Sequence, residues 1–294
     1  MTVTETKSIA TRREDLLRRD RPWLHRALGV AGRNIGLVLA VLYVILVIAW
    51  VLLPSAFTPY SPVEGVVGDR LRPPSPEHPF GTDGLGRDLF ARVVHGAANS
   101  VMAVLIAVAI AAVVGSAIGL LAGFAGGRVE GVLMRLIDTL LAIPALLLSM
   151  TIITVLGYGL VNVAVAVGVA SIASFARLMR SDVVRVRSEL YVEAARAAGV
   201  RWHAVLLRHV LPNAAGPVLA LVALEFGIAI LAVSALSFLG YGAAPPTPEW
   251  GRLVADGRDF IATSWWIATL PGLAITLLVL STNRISKSMT EASR

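Results

Sequence analysis

The stretch SVMAVLIAVAIAAVVGSAIGLLAGF, residues Ser100–Phe124, contains no charged side chain. About 20 consecutive apolar residues suffice to cross the hydrocarbon core as a helix, so this stretch predicts a membrane span. Within it a small residue recurs at every fourth position, at Ala107, Ala111, Gly115, Gly119 and Gly123. Such a stripe lets two helix backbones approach closely in a membrane. The stripe therefore predicts a helix-packing seam, either static or sliding during function.

Five further stretches are long and apolar enough to be membrane helices. They are Ile35–Phe57, Leu136–Leu156, Leu160–Phe175, Gly216–Leu239 and Ile267–Ser281. Pro144 interrupts the third predicted span, which a membrane helix tolerates when its neighbours satisfy the freed carbonyl. The whole chain has 56% hydrophobic and only 15% charged residues, where a soluble domain has about a quarter charged. The sequence thus predicts an all-α polytopic membrane protein with six transmembrane helices.

The basic residues are unevenly distributed among the loops between these spans. Twenty of the 26 Lys and Arg residues fall before the first span, between spans two and three, between spans four and five, and after span six. Because cytoplasmic loops are enriched in Lys and Arg, both termini are predicted to be cytoplasmic. The basic N-terminal segment is interpreted as a topology and lipid-headgroup signal, followed by an uncleaved first helix.

These assignments divide the chain into five predicted parts. Residues 1–34 form a cytoplasmic basic segment, residues 35–57 the first transmembrane helix, and residues 58–99 an external loop. Residues 100–284 form a five-helix core that includes a cytoplasmic loop at 177–215, and residues 285–294 form a cytoplasmic tail. The glycines between His78 and Asp88 are expected to form turns in the external loop.

Two acidic residues lie in or beside the predicted spans. Asp138 is three residues from Arg135, and this helical spacing predicts a local ion pair. Glu225 lies well inside span five, where an ionisable group is costly. For Glu225, a role in a transport pathway and a buried hydrogen bond to a neighbouring helix both remain open.

Several kinds of chemistry are absent from the sequence. Cys is absent, which excludes disulfides, thiolate metal sites and cysteine nucleophiles. The only lysines are Lys7 and Lys287, and neither belongs to a phosphate-binding glycine loop. All five histidines lie outside the predicted spans, which disfavours an intramembrane serine hydrolase. We therefore expect a non-catalytic chain with no metal and no cofactor of its own.

The predicted loop between spans four and five is rich in helix formers. Residues Glu189–Gly199 predict a short helix that ends at Gly199 in a left-handed conformation. A second helix is predicted over Trp202–Leu211, ending before Pro212 because proline cannot continue the hydrogen-bond ladder. This helix-turn-helix is expected to expose Glu193, Arg196 and Arg201, and to pack Leu206, Leu207 and Val210 toward the membrane helices.

The spacing in this loop resembles a known motif. Glu193-Ala194-Ala195, then three residues, Gly199, then eleven residues and Leu211-Pro212 resembles the coupling loop of permease subunits of bacterial ATP-binding-cassette (ABC) importers. HPFGTDGLGRD at residues 78–88, SFLGYG at 237–242 and PPTPEWG at 245–251 are similar to motifs of the peptide and nickel branch. The span count resembles the C-type permease of dipeptide and oligopeptide importers.

The resemblance implies a type I ABC importer permease fold with a cytoplasmic coupling helix, in a bacterial cell membrane. It implies a second, B-type permease subunit, two cytoplasmic ATPases that bind ATP and Mg, and an extracytoplasmic peptide-binding protein as partners, besides membrane lipid and without nucleic acid. The implied coupling residues are Glu193, Ala194, Ala195, Gly199, Leu211 and Pro212, and Glu225 is a candidate pathway residue. Nickel chelates or another small solute are alternative substrates.

A self-sufficient secondary transporter is the competing class of protein. It would predict internal repeats and an intramembrane path of charges. The two halves of the chain do not resemble each other, and Glu225 stands nearly alone within the spans. Relatives also often carry a glutamate where this chain has Val233, and the tail after Ser281 lacks their usual ending.

Overall fold

The computed structural model describes the backbone of residues 22–292 and the side chains of residues 35–288. All of the predicted basic segment, residues 1–34, therefore lies outside the described side chains. The helices of the described part are α1 (Pro22–Leu52), α2 (Leu89–Ala125), α3 (Gly127–Ala142), α4 (Ala145–Leu156), α5 (Leu160–Arg187), α6 (Leu190–Ala197), α7 (Trp202–Val205), α8 (Leu211–Phe238), α9 (Trp250–Gly257) and α10 (Trp266–Ala292). A π-helical turn, Leu206–Val210, joins α7 to α8, and short 3-10 turns lie at Pro54–Ala56, Val67–Asp69 and Arg258–Phe260.

Five of these helices, α1, α2, α5, α10 and α8 with its preceding turns, are long and apolar enough to cross a membrane. The pair α3 and α4 passes the same test together, although the two helices meet at an angle of 95°. Pro144, between them, is the residue where the predicted third span breaks. Counting this pair as one broken span gives the six predicted spans.

The tightest packing in the bundle is between α2 and α5. All five small residues of the predicted stripe are buried on α2. A Cβ atom on Gly115 would lie 2.5 Å from the Ile172 carbonyl oxygen of α5, and one on Gly123 would lie 2.9 Å from that of Arg180. The two backbones approach so closely only because these positions lack side chains, which confirms the predicted packing seam.

The main apolar core is built from residues of α1, α2, α4, α5, α8, α9 and α10. Trp250, at the start of α9, is fully buried against Val93 of α2 and donates its indole N–H to the Val93 carbonyl over 2.8 Å. On the other side, α1 is tied to α10 by the Tyr43 hydroxyl, which donates to the Ala274 carbonyl over 2.9 Å. The contacts of Trp250 hold the short helix α9 against α2.

Several predicted boundaries are wrong because they followed hydropathy and not helix geometry. Helix α2 begins at Leu89, so the last part of the predicted loop 58–99 is helical. Helix α5 continues to Arg187, so the first part of the predicted loop 177–215 is also helical. Helix α10 continues to Ala292, into the predicted tail. In each case charged residues extend a helix beyond its apolar section.

The predicted helix end before Pro212 is wrong as well. The π-helical turn runs directly into α8, which contains both Pro212 and Pro217. In the π turn the Leu211 N–H donates to the Leu206 carbonyl, five residues back. This wider turn shifts the hydrogen-bond ladder just before Pro212, at the first turn of α8, where proline is tolerated.

The predicted ion pair between Asp138 and Arg135 is also wrong. Asp138 accepts a hydrogen bond from Arg177 of α5 over 2.7 Å. Ile137 packs against Ile172 and Ala173 of α5, and this packing turns the adjacent Asp138 toward the same helix. Tertiary packing therefore replaces the local pairing that the helical spacing indicated.

Candidate functional site

The helix α6 and the turn after it form the first part of the candidate site. Gly199 has a φ of +75° and ends α6 as predicted. Its N–H donates to the Arg196 carbonyl, and the Val200 N–H donates to the Ala195 carbonyl. This pair of bonds is the Schellman motif, which favours glycine at the left-handed position. The turn therefore has a defined geometry in which a Cβ would be strained.

Apolar residues fix this region to the bundle. We define the α6–α7 segment as residues 188–211. Val192, Val205, Leu206 and Val210 are buried in a cluster with Met179, Val183 and Val186 of α5. Leu206 and Val210 thus pack as predicted. Leu207 does not, since 57% of it is exposed; it points away from the buried face of the π turn.

The opposite face of the α6–α7 segment is open. Glu193, Ala194 and Gly199 are exposed and Ala195 is half-buried, so these four predicted residues share one exposed helix and turn. Leu211 and Pro212 lie at the start of α8, at the far end of the segment, where Leu211 is half-buried and Pro212 exposed. The structure thus brings the first four together and places the last two where the segment rejoins the bundle.

The structure adds apolar residues to this open face that the sequence analysis missed. Leu190 is 81% exposed and Trp202 is 66% exposed, with Tyr191 and Leu207 also exposed. Large apolar side chains beside an exposed carboxylate are typical of a protein-binding surface. The exposure of Leu190 and Trp202 could have been predicted from the sequence, because neither residue falls on the helix face of the buried Val192 and Val205.

Glu225, the candidate pathway residue, lies on α8 and is buried inside this chain. Its carboxyl group lies near the Ser174 side chain of α5. Its Oε2 atom has no hydrogen-bond partner among the described residues. Both the hydrogen bond to a neighbouring helix and the pathway role therefore stay predictions.

A cluster of charged residues lies at the other end of α5, beside α9. Arg92 of α2 is only 2% exposed and lies 3.6 Å from Asp83, 3.8 Å from Asp256 and 3.1 Å from the Pro62 carbonyl oxygen that accepts its Nη1 proton. Asp83 also accepts from Arg87 over 2.7 Å. The motif of residues 78–88 is therefore bound to the region of α9 through one buried guanidinium.

Glu249 completes this cluster and caps α9. It accepts the backbone N–H groups of Gly251 and Arg252, each over 2.9 Å, and the Ser100 hydroxyl over 3.1 Å. Burial raises the pKa of Glu249, and these hydrogen bonds offset part of the effect. Glu249 lies in the PPTPEWG motif, but no role was predicted for this residue.

A cleft of about 630 Å³ opens between this charged cluster and the end of α8. Its walls include the charged residues Arg87, Arg252 and Asp256 and the apolar residues Phe238 and Ile267. The cleft and the α6–α7 segment lie at opposite ends of α5, because Gly159 beside α5 pairs with Tyr241 whereas α6 follows Arg187. The molecule thus presents two different surfaces at its two ends.

Long apolar helices with closely packed backbones define a multi-pass helical membrane protein, and this one carries an exposed helical segment at one end. Residues 115–291 match the model of the family described as binding-protein-dependent transport system inner membrane component. The chain belongs to this family, and it is accordingly a permease component of an ABC transporter in the inner membrane.

Three curated relatives have similar lengths and cover most of the chain. The dipeptide transport system permease protein DppC of Alkalihalophilus pseudofirmus is 38% identical over 88% of this chain and 84% of that protein. The di/tripeptide transport system permease protein DppC of Pseudomonas aeruginosa is 39% identical over 89% and 88%. The glutathione transport system permease protein GsiD of Escherichia coli is 39% identical over 86% and 84%.

Two solved structures share the fold. The inward-facing MetNI methionine ABC transporter aligns with a TM-score of 0.54 and 15% identity, covering 67% of this chain and 96% of that chain. An amino acid ABC transporter with histidines aligns with a TM-score of 0.52 and 16% identity, covering 67% and 91%. The fold is therefore that of ABC importer permeases, as the sequence predicted.

Proposed function

We propose that this chain forms half of the translocation pathway of a peptide importer and couples that pathway to ATP hydrolysis on partner subunits. The observation that carries the proposal is the α6–α7 segment, which is fixed to α5 by buried apolar residues and open on its outer face. A helix that is packed against α5 and exposes a carboxylate can bind a partner and transmit the movement of that partner to the membrane helices. The family membership of the chain supports the same function.

The coupling residues are assigned by position on this segment. The exposed Glu193 carboxylate is available to a cation on an ATPase, and charge-assisted hydrogen bonds are the stronger ones. Ala194, Ala195 and the Gly199 turn form the small-residue surface beside it. Leu211 and Pro212 fix the far end of the segment to α8. Leu190 and Trp202 supply the apolar part of the same surface.

The proposed assembly has two permeases, two ATPases and an external binding protein. ATP and Mg would be bound by the ATPases, and this chain would carry out no bond chemistry. The distribution of basic residues supports cytoplasmic termini and a cytoplasmic α6–α7 segment. The charged cleft beside α9 would then face the outside, where the binding protein delivers the substrate.

Peptides are the proposed substrate because the dipeptide, di/tripeptide and glutathione permeases are all similar to this chain over most of its length. Nickel chelates or another small solute remain the alternative. Glu225 is the proposed pathway residue, acting where α8 meets α5 at Ser174.

Co-purification with the cognate ATPases tests the coupling assignment. The wild-type complex should be isolated intact, whereas Glu193→Arg should weaken ATPase binding about tenfold or more, the size of one charge-assisted hydrogen bond. The matched control is Glu64→Arg, which reverses an exposed charge in the segment between α1 and α2 and should leave binding unchanged. Equal ATPase recovery with Glu193→Arg and wild type would refute the assignment.

A further inference from the structure

The aromatic ring of Phe124 marks the place where the α6–α7 segment touches the end of α2. The Arg196 guanidinium carbon lies 5.3 Å from the centroid of the Phe124 ring. The Trp202 ring also contacts the Phe124 ring, and the two ring centroids are 6.4 Å apart. Arg196 precedes the Gly199 turn and Trp202 follows it, so both arms of the segment meet one residue of α2.

A second contact joins the end of α5 to the same end of α2. Arg187, the last residue of α5, donates from Nη1 to the Gly123 carbonyl over 2.8 Å and to the Phe124 carbonyl over 3.3 Å. These carbonyls belong to the last turn of α2, where a cation is favourable. A Cβ on Gly126 would lie 3.0 Å from that Arg187 nitrogen, so the glycine leaves room for the guanidinium.

Together these contacts connect the α6–α7 segment, the end of α2 and the end of α5 to one another. The α6–α7 segment continues directly from α5 through Ser188 and Glu189. It also reaches α2 through Phe124, and α2 is held to α5 by Arg187 and along the glycine seam. A displacement of the segment therefore acts on both helices at once.

We propose that Phe124 is a positioning residue that transmits movement of the α6–α7 segment to α2, so that α2 and α5 move as a single body. This inference rests on the proposed function, because the movement is supplied by a partner ATPase. It assigns the glycine seam a static role: the two helices keep their register while the pair moves against the rest of the bundle. Arg196 is exposed, as predicted, but it also contacts Phe124 within the chain.

The test is the number of peptides transported per ATP hydrolysed by the complete reconstituted importer. Phe124→Leu and Arg196→Gln should each lower this ratio about two- to fivefold. Losing one exposed cation–π contact changes an equilibrium constant by about that factor. The double variant should lose no more than Phe124→Leu alone, because that substitution already removes the contact with Arg196 as well as the contact with Trp202. Phe124→Tyr and Arg196→Lys keep the ring and the cation and should restore most of the ratio.

Co-purification and a matched control separate the inference from the proposed function. Arg128→Gln removes an exposed arginine of α3 outside the α6–α7 segment, and its effect should simply add to that of Phe124→Leu. If Phe124→Leu does not fold, the comparison of Arg196→Gln with Arg196→Lys at the protein surface decides the question. Unchanged ratios, or independent losses that add, in complexes that still contain both ATPases would overturn the inference alone. Failure of the wild-type chain to bind ATPases would overturn the proposed function and the inference with it.

Discussion

Glu249 and Arg92 are charged side chains with 0% and 2% of their surface exposed, and both are surrounded by partners from distant parts of the chain. A buried charge is tolerated only when it is paired or hydrogen-bonded. Glu249 joins α9 to Ser100 of α2, and Arg92 joins α2 to Asp83 and Asp256. These residues hold the end of the bundle at α9 in one arrangement.

The stability of the protein should depend on pH through Glu249. Because burial raises the pKa of Glu249 in the folded state, the folded protein binds this proton more tightly than the unfolded chain. The resulting stabilisation is complete below the ordinary glutamate pKa and is lost as pH rises through the raised value. Thermal unfolding in detergent, followed by circular dichroism from below the ordinary glutamate pKa upward, measures this loss.

The variant Glu249→Gln cannot titrate and should flatten that part of the pH profile. Glu249→Ala should lower the free energy of unfolding by about 1–2 kcal/mol below the ordinary glutamate pKa, because the cap of α9 is removed, and by less as the pH rises. The exposed Glu64 offers the control, since Glu64→Gln should leave the profile of the wild type. An identical pH dependence in wild type and Glu249→Gln would show that Glu249 does not carry this effect.

At single residues, the sequence predicted what depends on near neighbours. The left-handed Gly199 follows from the helix that precedes it, and the exposure of Glu193 follows from the spacing of Val192 and the residues around it. The role of Glu249 could not be predicted, because its partner Ser100 lies 149 positions away. Asp138 was assigned to Arg135 for the same reason: the competing partner Arg177 is brought close only by folding.

At the scale of elements, the α2–α5 seam is the contact that depends most on residue size. A Cβ on Gly119 would collide with the Ala176 carbonyl oxygen and lie 2.8 Å from the Met179 Cβ. Gly119→Ala should therefore force the helices apart and lower the free energy of unfolding by about 1–3 kcal/mol. Thermal or denaturant unfolding of the purified chain measures the change.

Gly131 provides a matched control for this substitution. It is an exposed residue inside α3, and a Cβ added there would have no atom within 4 Å outside its own helix turn. Gly131→Ala should leave stability unchanged or raise it by up to about 1 kcal/mol, because alanine favours helix over glycine. Equal effects of the two substitutions would contradict the close packing of α2 on α5.

The sequence predicted which helices exist better than where they end. Hydropathy located the apolar part of each span, and Pro144 located the break between α3 and α4. Hydropathy could not show that α2 begins at Leu89, because the charged Arg92 lowers the hydropathy there and is paired with Asp83 only in the folded structure. Pro212 predicted a helix end, whereas the π turn before it allows α8 to begin there.

At the scale of the whole molecule, the orientation of the chain in the membrane can be tested by single cysteines, because the natural sequence contains none. Asp259→Cys, in the exposed turn after α9, should react with a membrane-impermeant thiol reagent in intact cells. Ala197→Cys, on the exposed face of α6, should react only after the cells are permeabilised. The reverse pattern would contradict the orientation assigned from the basic residues.

The central claim is that this chain couples ATP hydrolysis on partner subunits to peptide import. Uptake of a labelled dipeptide into proteoliposomes containing the complete complex, with binding protein outside and ATP inside, tests it most directly. We predict uptake that requires ATP and both ATPases and falls to background with Glu193→Arg in this chain. Dipeptide uptake that continues without ATPases, driven by an ion gradient, would contradict the account and favour a self-sufficient transporter.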